Sequence, residues 1–414
     1  LVLLYEEHRD YEAATAHART LLRYDPLHEA STRRLMRLLA LTGDRTAALR
    51  VYHACASLLE QQLGVEPGSA TREVYDRLLH LDGAPAPIRS RRMPLVGRRA
   101  EWQRLRALWR TVNRGRLNIV CIEGVAGLGK TRLAEELIHW AQLQGISTLH
   151  ARAYAAEEGL SYGPLVECLR SATLQTRLAR LTNVWRSELA RLLPELLIAD
   201  PLLAPPEPLT ERGQRRRLFE ALTHAILIED RPLILALDDL QWCDEETLAW
   251  LLFIAHHHSH AQLLIVTTLR RDELARNHPA TNFLLELRRL DLLVDLPLAA
   301  LDAAETTALA ESIAERKLDK AMATSLFAAT EGNPLFVVET MRAQLSGDGA
   351  PTSSLALPPK VHAVIGARLA QLSPSALKLA RLAATIGRSF SVAVLSAASD
   401  QDEATIARSL DELW

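Results

Sequence analysis

This sequence makes sparing use of lysine, cysteine and net charge, and it contains no long apolar run. Only five lysines (Lys130, Lys317, Lys320, Lys360 and Lys378) stand against 43 arginines in 414 residues. The compact ammonium and the planar guanidinium are not interchangeable, so a lysine kept in such a background points to a specific need. Four cysteines (Cys55, Cys121, Cys168 and Cys243) lie far apart without metal-ligand spacing. That excludes a zinc module or a disulfide framework and fits the reduced thiols of a cytoplasmic protein. A net charge of −2 excludes a nucleic-acid footprint for the chain as a whole. The longest apolar stretches, such as "LAWLLFIA" (248–255), fall well short of the about 20 residues that span a bilayer. No basic segment followed by an apolar core and cleavage site opens the chain, so neither a secretory signal nor a membrane partner is expected. The chain starts inside one helical pattern and stops inside another, at "LDELW", and is expected to be part of a longer protein.

What is present is a globular composition, 48% apolar and 24% charged, long enough for two to four domains. Residues 1–81 read as helix after helix. "DYEAAT" (10–15) and "DRTAAL" (44–49) are similar and offset by 34 residues, the tetratricopeptide period. Their small alanines fall where paired helices must approach, and "YDP" (24–26) and "TGD" (42–44) break the helices apart. Such an array is a protein-binding surface or a spacer rather than a catalytic site. Residues 82–93, with "DGAPAPIRSRR", have the content of an exposed linker. From about Met93 strands alternate with helices. "LNIVCIE" (117–123), "PLILALDD" (232–239) and "QLLIVTTLR" (262–270) are continuous apolar runs, as in buried parallel strands whose carboxyl ends carry the site. "RLAEELIHWAQLQG" (132–145) has one apolar helical face and a terminating Gly145. "DPLLAPPEPLTERG" (200–213) reads as a long surface insertion, and from about Leu301 the pattern is helical again. The expected fold is an α/β core, a parallel sheet between helices, flanked by helical units.

The core opens with "GVAGLGKTRL" (124–133), which satisfies G-x-x-x-x-G-K-[ST]. Glycines let successive backbone N–H groups turn inward as an anion nest, and the helix that starts there adds the positive end of its dipole. Gly124, Val125, Ala126, Gly127, Leu128, Gly129, Lys130, Thr131 and Arg132 are the expected phosphate cradle. Lys130 reaches the β- and γ-phosphates as a point charge, and the Thr131 hydroxyl serves Mg²⁺. The bare pattern turns up by chance in about one such chain in a hundred. Its place between a strand and a helix, and its lysine, raise it above a glycine-rich turn.

In "LILALDDLQWCDEET" (233–247) an apolar strand ends in two carboxylates. Asp238 is the expected second Mg²⁺ ligand, and Asp239 the group that orients or deprotonates the attacking water. Asp244 suits a helix cap better. Arg270, ending the next strand, is placed to contact the γ-phosphate. "HHHSH" (256–260) lacks partners for a metal and reads as a helix end, and "RGQRRRLFEAL" (212–222) reads as a solvated basic face.

Together these residues resemble the STAND class of AAA+-like P-loop ATPases, specifically large bacterial transcriptional activators. "PLVGRRAEW" (94–102) looks like the element that lines the adenine pocket, with Val96, Gly97 and Arg98. "EGNPLFVVE" (331–339) looks like the G-x-P element, which implies that Pro334 packs on adenine. Residues 1–81, most tellingly "LGVEPGSATREVYDRLL" (63–79), resemble the bacterial transcriptional activation domain of the antibiotic-regulatory-protein family. The resemblance implies an ATPase core over 94–300, a helical lid over 301–355 and a truncated winged-helix-like region over 356–414. It implies a slow, ATP- and Mg²⁺-dependent switch with ADP as its other state and protein partners on the helical array. DNA contact would come only through a domain absent from this chain. A motor or a scaffold with structural nucleotide are the alternatives.

Overall fold

A computed structural model of the chain describes residues 1–8, 10–63, 65–80, 95–155, 160–208, 211–227, 231–274, 278–345, 372–387, 391–399 and 401–413, with 362, 365, 366, 369 and 370. They fall into two compact units, Leu1–Ala300 and Leu301–Trp414. The stretch read as a linker, 82–93, lies outside the described residues, as does most of 357–371.

The first unit begins with α1 (Val2–Glu7), α2 (Tyr11–Tyr24), α3 (Glu29–Leu41), α4 (Arg45–Leu63) and α5 (Ser69–His80). The repeated Asp-x-x-Ala-Ala signal has a physical meaning. Asp10 caps α2 by accepting the Ala13 N–H at 3.1 Å, and Asp44 accepts the Ala47 N–H at 2.9 Å as α4 starts. Ala14 and Ala48 are fully buried, so neighbouring helices close onto a surface without bulk.

After α6 (Arg99–Val112) come five strands, β1 (Asn118–Glu123), β2 (Ser147–Arg152), β3 (Leu233–Asp238), β4 (Leu263–Leu269) and β5 (Leu293–Pro297). They form one parallel sheet in the order β2-β3-β4-β1-β5. Side chains alternate across a strand, and both faces here are covered. Ile119, Cys121, Leu235 and Ile265 enter one core, while Val120, Ile122, Ile234 and Val266 enter the other. That double burial is why the strand sequences read as continuous apolar runs. One core is roofed by α6 and α7 (Lys130–Leu143). The other is covered by α8 (Gly163–Arg170), α9 (Ala172–Leu178), α10 (Asn183–Leu189), α12 (Glu211–Leu227), α13 (Glu245–His257) and α14 (Pro279–Arg289), with α11 (Glu195–Ala199) beside them. The expected insertion at 200–213 is shorter than its proline content suggests, because α12 starts at Glu211.

The helical array and the α/β core share side chains. Leu143, the last residue of α7, lies in the array's core with Leu39, Val74 and Leu78. Leu41, ending α3, packs in turn on the cluster that holds Trp102, Leu137 and Trp140. Just beyond α7, Gly145 takes a φ of +76°, and a Cβ there would collide with the guanidinium of Arg77 from α5. One residue type fits both the turn and the approach.

The second unit contains α15 (Ala303–Ala314), α16 (Lys320–Thr330), α17 (Pro334–Leu345), α18 (Pro374–Ile386), α19 (Val392–Ala398) and α20 (Glu403–Leu413). Leu379, Leu395 and Ile406 make a small core among the last three. No helix among the described residues is long and apolar enough to cross a membrane.

Leu143 is 3% exposed and seats the end of α7 in the helical array's core. Leu143→Ala is expected to cost about 2–5 kcal/mol, read by denaturant unfolding of the whole chain.

Candidate functional site

The carboxyl ends of β1, β3 and β4 meet at one edge of the sheet, where β1 releases the chain into the glycine loop. Gly124, Gly127 and Gly129 hold φ values of +151°, +86° and +88°, which side chains resist. A Cβ on Gly124 would stand 3.0 Å from Leu128 Cδ1 and 3.2 Å from the Leu298 carbonyl oxygen. Gly129 caps α7, whose unpaired N–H groups then face the loop's concavity. The outer rim is open, with Val125 partly exposed.

Lys130 is buried, and its ammonium donates to the carbonyls of Gly124 (2.6 Å) and Val125 (3.0 Å). Burial, then the nearby Arg270 guanidinium, holds it below the ordinary lysine value. Such an ammonium gains from an anion. Arg98 braces the loop from behind. Its buried guanidinium donates to the carbonyls of Leu128 (3.1 Å) and Ala299 (2.6 Å) and pairs with Glu101 at 3.3 Å. Gly97 at φ +67° and Arg98 at φ +60° make the turn that delivers it, with Val96 half-buried beside them. Arg132 points along α7 to Glu136 at 2.8 Å.

Asp238 ends β3, buried, and both its oxygens lie 2.9 Å from the Thr131 hydroxyl. The Thr268 hydroxyl donates to Asp238 Oδ1 at 2.5 Å while accepting the Asp239 N–H at 2.8 Å. Asp239 itself sits at φ +60°, a left-handed backbone that swings its carboxylate away from the strand axis. Its Oδ1 accepts from Gln241 Nε2 (3.0 Å), and its Oδ2 accepts from Arg152 Nε (3.0 Å) and Nη2 (2.7 Å). Arg270 Nε lies 3.5 Å from Asp239 Oδ1, while its Nη1 meets Glu273 at 2.7 Å over the Trp242 ring.

The loop, Lys130, Thr131, Asp238, Asp239 and Arg270 thus converge, as their motifs suggest. Asp244 is a cap, accepting from the Thr247 N–H at 2.9 Å and the Tyr162 N–H at 2.8 Å. Pro334 belongs to the second unit, where it opens α17 beside Asn333, which accepts the Leu335 N–H at 3.1 Å. Gly332 there is held tightly, since a Cβ would strike the Leu301 backbone. Arg152, Thr268, Gln241 and Glu273 carry no motif. Arg152 reaches the site because β2 pairs with β3 in a register that sets Arg152 opposite Asp238.

The donor set tests the implied ligands. Hydroxyl and carboxylate oxygens suit a hard cation, and Mg²⁺ is commonly held by one or two carboxylates with the rest supplied by phosphate and water. Among the described residues no cluster of three or more His, Cys, Asp or Glu could hold a metal by protein ligands alone. The glycine-turned backbone cradle and the buried ammonium fit a polyphosphate.

A family model for an AAA ATPase domain matches residues 94–266, and one for a bacterial transcriptional activator domain matches residues 4–79. The chain is a P-loop ATPase regulator with an N-terminal bacterial transcriptional activator domain. No curated protein matches the chain. Solved structures with a similar course include three archaeal and bacterial proteins. A variant of Thermotoga maritima RuvB is 14% identical, over 77% of this chain and 85% of that one, at a TM-score of 0.36. Pyrobaculum aerophilum Cdc6p is 13% identical, over 80% and 88%, at 0.38. Aeropyrum pernix ORC1, solved in complex with DNA, is 15% identical, over 78% and 84%, at 0.37. At these values the likeness reports nothing about ligand or partner.

In the ATPase domain, Lys130→Ala is expected to weaken ADP binding by about ten- to a hundredfold, the worth of a charge-assisted hydrogen bond. Thr131→Ala is expected to keep most ADP affinity but lose the gain that Mg²⁺ confers. Calorimetry with and without chelator separates the two.

Proposed function

We propose that the chain is a slow, ATP-operated switch in the STAND manner, in which the occupant of the phosphate loop sets the state of the activator domain. The observation that carries this reading is the course of α7. Its first residue is Lys130 in the cradle, and its last, Leu143, is packed inside the activator domain. A displacement at the amino end of a rigid helix is felt at its carboxyl end, since packed interfaces shift between discrete arrangements.

The roles follow from the geometry. The loop amides and Lys130 bind phosphate, and Arg98 keeps the loop in shape. Thr131 and Asp238 would hold magnesium, which neutralises phosphate charge and polarises the terminal phosphoryl group. Arg270 stands where a γ-phosphate contact would differ between the ATP and ADP states. Asp239 is the group to orient water or take its proton. Both its oxygens are engaged by Arg152 and Gln241, which restrains it from meeting a water and supports the reading of slow hydrolysis. A shift from 1:99 to 99:1 between two states needs about 5.5 kcal/mol of differential binding, within reach of a few charge-assisted contacts.

The proposal extends to parts of the chain outside this geometry. Pro334 would close on adenine from a lid over 301–355, and 356–414 would open a winged-helix-like regulatory region. The activator domain over 1–81 would meet protein partners, DNA being read by another domain, all in the cytoplasm.

Purified chain is expected to carry ADP and to turn ATP over far below about one per second without a partner. Rapid unassisted turnover would favour a motor. Arg152→Ala is expected to raise the hydrolysis rate by about tenfold with little change in ATP affinity, because it frees one Asp239 oxygen. Single-turnover kinetics beside a binding titration reads both.

A further inference from the structure

Residues 1–80 carry ten arginines and eleven acidic residues, so the activator domain has no overall need for a basic patch. Even so, α3 gathers Arg33, Arg34 and Arg37 along one side, where they line a cavity of about 220 Å³ with His28, Ala18 and Leu21. Two carboxylates lie near these three guanidiniums. Glu6 lies 3.6 Å from Arg34 Nε. Glu29 on the same helix accepts the Gly68 N–H at 2.9 Å and the Thr71 hydroxyl at 2.5 Å, so its carboxylate is already engaged. Arg33 donates to Thr71 Oγ1 at 3.0 Å, the hydroxyl that Glu29 also engages. Arg37 Nε is buried with no hydrogen-bond partner among the described residues.

Helix electrostatics do not account for this placement. Arg33 and Arg34 occupy the amino-terminal half of α3, the positive end of its dipole, and the last turn has no basic residue. Burial, together with the guanidiniums of Arg77, Arg33 and Arg34, pushes Arg37 below the usual arginine value. Three guanidiniums beside a cavity, one with an unmet buried donor among the described residues, outnumber the two carboxylates, Glu6 and Glu29, that lie near them.

We propose that this cavity binds an oxyanion group, a phosphate monoester or a carboxylate, at the Arg33–Arg34–Arg37 face of the activator domain. Planar guanidinium forks match either group through paired N–H donors, and the partly exposed Leu21 gives its carrier an apolar rim to lie on. The site lies in the helical domain and needs no nucleotide, so it is separate from the ATPase reading.

The whole chain, with its phosphate loop saturated by Mg-ADP, is titrated by calorimetry with O-phosphoserine and, separately, with glutarate. At least one is expected to bind with a Kd of about 1 mM or tighter. The one that binds identifies the group as phosphate or carboxylate. Arg37→Gln is expected to weaken that binding about tenfold or more, with Arg37→Lys intermediate, because it keeps charge without the fork. Arg34→Gln, altering a partly exposed side chain, supplies the same readout should Arg37→Gln fail to fold. The proposal is overturned if neither anion binds below about 10 mM, or if the folded variant binds as tightly as the wild type.

Discussion

The helix Lys130–Leu143 is the element to which the rest of the first unit is fitted. Its amino end needs glycines at Gly124, Gly127 and Gly129, because their left-handed backbone turns successive amides toward one centre. Its middle, through Leu133, Leu137 and Ala141, fills the core beneath the sheet. Its carboxyl end must finish at Gly145, against which Arg77 of the activator domain is packed. The phosphate-type loop, the sheet and the activator domain are therefore tied to one rigid rod about 20 Å long.

Around the amino end of that rod the charges are arranged by burial rather than by number. Asp238 and Asp239 are adjacent in sequence yet chemically different. Asp238 is held chiefly by two hydroxyls, Thr131 and Thr268, with Arg152 Nε more distant at 3.9 Å, which suits the proposed role of ligand to a hard cation. Asp239, swung out by its left-handed backbone, is held by guanidinium and amide donors. The same sheet edge therefore carries a metal-type carboxylate and a restrained one. The surplus arginines of this composition are put to use in that restraint, whereas the lone lysine of the region fills the point-charge position that a planar guanidinium would fit poorly.

Much of this was legible because the signals were local. The 34-residue spacing marked two capped helices, and the three central strands declared themselves through burial on both faces. Asp244 behaved as the cap its position implied, and "HHHSH" closed α13, where His256 and His257 complement the helix dipole. The basic run at 212–222 proved helical, with Arg215 paired to Glu246 at 2.8 Å and Arg216 to Glu220 at 3.1 Å. The edge strands β2 and β5 were missed, since each has one partner strand and a partly exposed pattern without an apolar run. With β2 went Arg152, whose position depends on a register and not on any spacing in sequence. Thr268 was hidden for the same reason, whereas Gln241 reaches Asp239 through the tight turn that follows β3. The docking of Leu143 and Leu41 across two domains depends on tertiary packing that no short pattern encodes.

The central claim is that the occupant of the phosphate loop is felt in the activator domain through this helix. Hydrogen exchange on the whole chain, compared between the ATP- and ADP-bound states, tests it most directly. The account predicts that amides of α3 and α5 change protection between the two states in wild type, and that Lys130→Ala abolishes the difference. Nucleotide that protects the glycine loop in both states while leaving α3 and α5 unaltered would contradict it.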